Sequence, residues 1–138
     1  MRAAGKVNIG MLLFLVVVAG AIFVAAKVVP VYVDHMDVTE AVDATFNLAG
    51  RNNNDGLLRG EIRMRTNRMG HHVETDSWGV DQVVPGLGLT DEQITIERSR
   101  VTENVKIEVV YERQVDFSPF NYTRTMTMRA VKEGIPPP

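Results

Sequence analysis

The chain has 138 residues, of which 15 are basic and 17 acidic, and its formal net charge is −2 at pH 7. The absence of cysteine excludes disulfides, thiolate metal ligands and a cysteine nucleophile. All 17 acidic side chains lie at Asp34 or later, where only 12 basic side chains oppose them. This acidic excess argues against nucleic-acid binding. About 105 residues follow an apolar amino-terminal segment, enough for one small domain.

An apolar run from Ile9 to Ala26 contains 18 residues without a charge. A helix rises about 1.5 Å per residue, so about 20 apolar residues cross a bilayer core of about 30 Å. The run reaches that length if the stem of Lys27 lies along it, with the ammonium group among the lipid head groups. The sequence therefore predicts a transmembrane helix over residues 9–29.

The charges that flank the run predict its orientation. Arg2 and Lys6 precede it, whereas only Lys27 follows it closely. Because basic residues stay preferentially in the cytoplasm, residues 1–8 are predicted to form a cytoplasmic leader and residues 30–134 an extracytoplasmic domain. For a bacterial protein, this places the chain in the inner membrane with its domain in the periplasm.

A cleaved signal peptide is the alternative to a retained anchor. The small residues Ala19, Gly20 and Ala21 fit a cleavage pattern. Hydrophobicity continues, however, through residues 22–24 and again through residues 28–33, whereas a signal peptide normally leads into polar sequence. We therefore favour the retained anchor, and both alternatives place the domain outside the cytoplasm.

Pro30 is predicted to bend or break the helix, because proline lacks a backbone donor and crowds the preceding turn. Beyond it, residues 31–49 have the spacing of an amphipathic helix. The apolar face of this helix consists of Val38, Val42, Phe46 and Ala49. Gly50 is predicted to end the helix in a left-handed conformation.

Residues 57–69 fit two kinds of secondary structure. Strict alternation of apolar and charged residues slightly favours a strand. The apolar residues that would share one face of a helix are Leu58, Ile62 and Met69. In the helical alternative, Asp55 caps the start and Gly70 ends the helix.

After residues 71–88, which contain turn-forming residues but no clear period, three alternating segments predict strands. The segments are residues 93–100, 104–116 and 121–132. Their short connections fit antiparallel neighbours with one apolar face covered by a helix. The predicted fold class is α+β, with two helices packed on a three-stranded antiparallel meander. The tail, residues 135–138, ends in three prolines and is predicted to be flexible.

Several features, taken in chain order, resemble a widespread family of small, uncharacterised bacterial proteins with an amino-terminal membrane segment. They are the basic leader, the apolar helix, the K-x-x-P-x-Y stretch from Lys27 to Tyr32, the segment Gly60–Arg63 and the V-x-Y-E strand at Val109–Glu112. In that family the segment matching residues 57–69 is a helix, so the resemblance implies a helix here. It implies no activity, cofactor or catalytic residue.

The chain is also loosely similar to type IV pilins and pseudopilins, which have a basic leader, a glycine, a long apolar helix and then an antiparallel sheet. Their signature glutamate lies five residues after the cleaved glycine. Cleavage after Gly5 would put Gly10 at that position, and cleavage after Gly10 would put Leu15 there. Neither side chain can pair with the terminal amine of a neighbouring subunit, which weakens this alternative.

The sequence holds few possible metal ligands. One cluster consists of His71, His72, Glu74 and Asp76. Its spacing does not direct three donors to one face, and a solvated loop is the favoured interpretation. A second group, at residues 34–37, is expected simply as polar sequence at the membrane edge. Serine-nucleophile and phosphate-loop motifs are absent from the sequence, so no catalytic, cofactor-binding or metal-binding residue is predicted.

A candidate interaction surface is predicted at Arg59, Arg63, Arg65, Arg68 and Trp78. Four arginines within ten residues suit anionic lipid head groups or an acidic partner, although a hydrated face balanced by nearby acids is the favoured alternative. Trp78 is either a contact anchor or a side chain buried under its loop.

Together these features predict a non-enzymatic, single-pass, membrane-anchored protein of the bacterial envelope that acts as an accessory or assembly subunit. Its expected partners are the lipid bilayer and other membrane or envelope proteins. The alternative is a pilin-like or pseudopilin-like subunit of a filament or secretion apparatus.

Overall fold

The computed structural model describes residues 8–138, so the predicted leader, apart from Asn8, lies outside the described residues. Within them are two α-helices and five strands: Ile9–Ala49 (α1), Asp55–Thr66 (α2), His71–Thr75 (β1), Asp81–Pro85 (β2), Ile94–Arg98 (β3), Val105–Asp116 (β4) and Thr123–Gly134 (β5). Strands β1 and β2 form an antiparallel hairpin, and β3, β4 and β5 form an antiparallel meander in that order. The predicted α+β class and the three-stranded meander are confirmed.

Helix α1 is a single uninterrupted helix of 41 residues, about 60 Å long at 1.5 Å per residue. The side chain of Asn8 caps its start by accepting a hydrogen bond from the Gly10 N–H at 3.1 Å. Pro30 lies inside the helix, and the break predicted there is not present. A proline removes only its own backbone donor, and the residues beyond it stay helical because their apolar face packs on the rest of the domain.

The two halves of α1 have different surroundings. The amino-terminal half is long and apolar enough to cross a membrane, judged by length and composition, and its most apolar window has no buried residue. The carboxyl-terminal half carries the buried face, which includes Val31, Val38, Val42, Phe46 and Ala49. The predicted amphipathic helix is therefore confirmed, and it is the continuation of the apolar segment.

Helix α2 confirms the helical alternative for the ambiguous segment. Asn54, rather than Asp55, caps it, because the Asn54 side-chain oxygen accepts hydrogen bonds from the N–H groups of Gly56 and Leu57 at 3.0 and 3.2 Å. The buried side chains recur every four residues, at Leu58, Ile62 and Thr66. The helix ends before Asn67, three residues earlier than the predicted stop at Gly70.

Strand β4 is the centre of the sheet and runs along α1 in the opposite direction. One face of the strand is inward, and its buried residues are Val105, Ile107, Val109, Tyr111 and Val115. The ring centroids of His35 and Tyr111 are 6.1 Å apart. Those of Phe23 and Phe117, which lies just beyond the strand, are 6.4 Å apart. The strand therefore ends beside the apolar half of the helix.

Gly50 does not adopt the predicted left-handed conformation, since its φ and ψ of −68° and −30° are right-handed. The tail explains the glycine instead, because a Cβ at Gly50 would overlap the carbonyl oxygen of Pro137. Arg51 Nε also donates a hydrogen bond to the Pro138 carbonyl oxygen at 3.0 Å. The proline tail thus lies against the end of α1.

Arg98 holds the turn between the two helices. Its guanidinium donates to the carbonyl oxygens of Ala49 and Asn52 at 3.2 and 3.0 Å, and to the Asp55 carboxylate at 2.8 Å. These acceptors belong to the last turn of α1, the connection and the first turn of α2, so one side chain from β3 ties all three together.

We expect Val109→Ala to lower the free energy of unfolding of the full chain in detergent by about 2 kcal/mol, because it removes two buried methyl groups and leaves a cavity. Val109 is 0% exposed, whereas Val110, the next residue of β4, faces outward at 36%. Val110→Ala is the matched control and should change stability by less than about 0.5 kcal/mol. Equal losses in a denaturant titration would show that the assigned inward face of β4 is wrong.

Candidate interaction surface

The β1–β2 hairpin presents Trp78 to solvent. Asp76 orders the connecting loop, because its carboxylate accepts hydrogen bonds from the N–H groups of Trp78 and Val80 at 2.8 and 2.9 Å. Both hydrogen bonds lower the pKa of Asp76, and the bond from Val80 has the larger effect. Trp78 is 88% exposed, so the alternative that its side chain is buried under the loop is not realised.

Other apolar side chains of the hairpin are exposed with Trp78. They are Val73, Val80 and Val83. Val73 and Val83 are directly paired across the two strands, so their side chains lie on the same face of the hairpin. An exposed tryptophan on the same hairpin as an exposed apolar pair is a typical feature of surfaces that bind other proteins.

His72 fixes the base of the hairpin. Its Nδ1 lies 2.7 Å from the Gly86 carbonyl oxygen and its Nε2 lies 2.9 Å from a Glu74 carboxylate oxygen. Both partners are acceptors, and only the protonated imidazole has a donor on each nitrogen. The hydrogen bond to Glu74, and then that to Gly86, accordingly raise the pKa of His72.

The four predicted arginines, three in α2 and Arg68 just after it, divide into two pairs. Arg59 Nε donates to the Ile94 carbonyl oxygen at 3.2 Å, and Arg63 lies 3.4 Å from the Asp91 carboxylate, so these two face the start of β3. Arg65 forms an ion pair of 2.7 Å with Glu61 and, together with Arg68, lines a cleft between the two helices.

The cleft between α1 and α2 has a volume of about 310 Å³ and carries charges of both signs. Its charged lining residues are Asp37, Glu40, Glu61, Arg65 and Arg68. Three carboxylates therefore surround two guanidinium groups, and the cleft is not a uniformly cationic patch. Trp78 lies on a separate element, so the five predicted residues do not form one continuous surface.

A polar cluster that the sequence analysis missed joins α1, β4 and the hairpin. Arg113 forms an ion pair of 2.7 Å with Asp34, and the two side chains are only 12% and 20% exposed. The guanidinium also donates to the His71 carbonyl oxygen at 2.8 Å. The alternation of β4 could have revealed this cluster. Arg113 occupies an inward position of the strand, between the buried Tyr111 and Val115.

Gly70 allows this cluster to close. It has a φ of +60°, and a Cβ there would lie 2.8 Å from an Asp34 carboxylate oxygen and 2.9 Å from an Arg113 nitrogen. Only glycine combines this backbone conformation with that close approach. The residue that was predicted to end α2 therefore has its role in the junction beneath the hairpin.

Neither predicted group of possible metal ligands converges on a common point. Asp34 is occupied by Arg113, while the neighbouring His35 Nδ1 lies 3.2 Å from the hydroxyl oxygen of Tyr111. Burial raises the pKa of Tyr111 to about 12. From residue 8 onward, no three His, Asp or Glu side chains lie close enough to hold a metal ion.

Comparisons with known proteins add no relative to this description. No model of a known family, no curated protein and no solved structure matches the chain. The likeness to small membrane-anchored bacterial proteins therefore remains an expectation from the residues quoted above.

We expect Arg113→Met to lower the free energy of unfolding by about 2–3 kcal/mol, because it leaves the Asp34 carboxylate unpaired in a site with little water. In an Asp34→Asn background the same change should cost at least about 1 kcal/mol less. Arg129 and Glu108 form the matched control, an ion pair of 2.8 Å with an exposed arginine. Their coupling should be clearly smaller than that of Asp34 and Arg113, because solvent screens an exposed ion pair. A double-mutant cycle that gives equal coupling for both pairs would contradict the importance of burial.

Because the pKa of His72 is raised in the folded protein, its contribution to stability is complete below the ordinary pKa of about 6.5. The contribution is lost as the pH rises through the raised value. We expect Glu74→Gln to bring the pKa of His72 down towards its ordinary value, because it removes the largest cause of the increase. NMR titration of the ring protons measures this pKa, and Glu97→Gln on β3 is the control that should leave it unchanged.

Proposed function

We propose that this protein is a non-enzymatic, single-pass membrane protein whose extracytoplasmic domain contacts other proteins of the bacterial envelope. The observation that carries the proposal is the continuity of α1, whose first half is apolar and exposed and whose second half is the core helix of the domain. With no flexible linker between the two halves, the domain is held beside the bilayer that the first half enters.

Confinement beside a membrane favours contact with other membrane proteins, because it raises their effective concentration around the domain. The orientation follows from Arg2 and Lys6 before the apolar run and from the acidic excess after it. In this arrangement the bilayer is the inner membrane and the domain lies in the periplasm.

The hairpin is the surface that we assign to protein contact. Trp78 and the Val73–Val83 pair are exposed and apolar. The hydrogen bonds to the Asp76 carboxylate hold the loop in one conformation. A preorganised aromatic side chain loses little conformational freedom on binding, which makes it suited to anchor an interface. The mixed-charge cleft beside Arg65 and Arg68 is a weaker candidate, since its charges are already balanced internally.

A pilin-like or pseudopilin-like subunit is the second candidate. It is favoured by the long continuous helix whose second half packs on an antiparallel sheet, the arrangement that the sequence similarity implies. Gly10 and Leu15 stand where the signature glutamate is required, which counts against it. Mass spectrometry of the native amino terminus separates the candidates, because processing and methylation after Gly5 would support the pilin-like subunit and an intact start the anchor.

The chain has no cysteine, so single introduced cysteines report its topology without background. In bacterial spheroplasts we expect a membrane-impermeant maleimide to label Thr102→Cys in the β3–β4 connection before lysis, and Ala4→Cys only after lysis. The protein should also stay in the membrane fraction during carbonate extraction, because its apolar helix is embedded in lipid.

Each outcome of this experiment has a definite meaning. Extraction of the protein by carbonate, together with a start near Ile22, would replace the anchor by a cleaved signal peptide. Labelling of Ala4→Cys but not Thr102→Cys in intact spheroplasts would reverse the proposed orientation. Either result overturns the proposed function in this form.

A further inference from the structure

The loop between β4 and β5 lies beside the apolar half of α1. The Phe23 ring of the helix meets the rings of Phe117 and Phe120 of the loop, with centroid distances of 6.4 and 5.7 Å. Phe23 lies inside the 18-residue apolar run, three residues before its end at Ala26 and thus about 5 Å along the helix axis. The loop is therefore at the level of the apolar segment rather than at the level of the first acidic residue, Asp34.

The composition of the loop matches that position. Residues 117–122 carry no charge and include Phe117, Phe120 and Tyr122. Although Phe120 touches Phe23, it is 73% exposed, and Tyr122 is 57% exposed. Large aromatic side chains at the tip of a hairpin are poorly hydrated in water, but they are enriched where a bilayer meets water.

The space between the loop and the helix extends the same apolar surface. A cleft of about 520 Å³ is lined by Gly20, Phe23, Val24, Phe117, Phe120, Tyr122 and one charged residue, Arg124. Gly20 is three residues farther into the apolar run than Phe23, so the cleft extends along the helix into that run. A guanidinium beside an aromatic cleft suits the level of the lipid phosphates.

From these contacts we propose that the β4–β5 loop is a second membrane contact, inserted into the outer-facing interface of the bilayer beside α1. This inference rests on the proposed function, since it takes the first half of α1 to be in lipid. Given that helix, the ring contacts of Phe23 fix the depth of Phe120. The domain is then attached to the membrane at two places, the helix and the loop, and this limits its rotation about the helix axis.

Tryptophan fluorescence in vesicles tests the insertion directly. Trp78→Phe provides a background without tryptophan, since Trp78 is the single tryptophan of the chain. Phe120→Trp then places one reporter on an exposed loop position. The full chain is reconstituted into vesicles of phosphatidylcholine and phosphatidylglycerol that contain lipids brominated near the head-group end of the acyl chain. We expect these lipids to quench the Phe120→Trp emission at least twofold and the emission maximum to be blue-shifted.

Two further single-tryptophan variants make the result decisive. Val17→Trp lies near the middle of the apolar run, and Val101→Trp lies in the exposed β3–β4 connection at the opposite end of β4. Lipids brominated deep in the acyl chain should quench Val17→Trp, and Val101→Trp should resist quenching by both lipids. Quenching at position 17 but not at position 120 would overturn the loop insertion and leave the anchor intact, with the aromatic loop then free for a protein partner. Loss of quenching at position 17 would overturn the anchor itself.

Discussion

The packing of the second half of α1 on the inward face of β4 is the contact on which the rest of the structure depends. Val38, Val42 and Phe46 belong to the same buried cluster as Ile107 and Val109 of the strand. Because this half of the helix continues directly from the apolar segment, the core that folds the domain also fixes its position relative to that segment. The apolar segment and the domain therefore share one helix, and the antiparallel course of β4 places the β4–β5 loop close to the apolar half.

Polar contacts join elements of the fold in addition to the apolar core. Arg98 closes the turn between the helices, and the Asp34–Arg113 pair joins the helix, the central strand and the base of the hairpin. In both, a guanidinium from a strand donates hydrogen bonds to carbonyl and carboxylate oxygens of other elements. Such contacts add specificity, because a partly buried charge stabilises the fold only when its partner is in place. The hairpin and its exposed Trp78 are thereby joined to the helix that also contains the apolar segment.

Local signals predicted the parts of this fold in which one short segment determines its own structure. The periodicity around Val38 and Val42 predicted the second half of α1, and the alternation in residues 104–116 predicted β4 together with its inward face. The sequence did not predict the β1–β2 hairpin. Nearly every side chain of residues 71–85 is exposed, so these short strands lack the alternation of apolar and polar residues that indicates a strand. The left-handed conformation predicted for Gly50 was also wrong. A glycine is needed there because Pro137, 87 residues later in the chain, approaches it closely, and not because the helix ends there.

The features that bear on function also divide into those that local sequence predicted and those that depend on tertiary contacts. The sequence by itself determined the apolar segment, its flanking charges and the α+β class, because composition and period act within a few turns of chain. Tertiary structure alone decided that Arg59 and Arg63 find acceptors near β3, whereas Arg65 forms a local ion pair with Glu61 of its own helix. It also brought Phe120 to Phe23, and Arg113 to Asp34, across 97 and 79 residues of sequence. Such long-range contacts follow from the course of β4 along α1, which no local pattern of residues encodes.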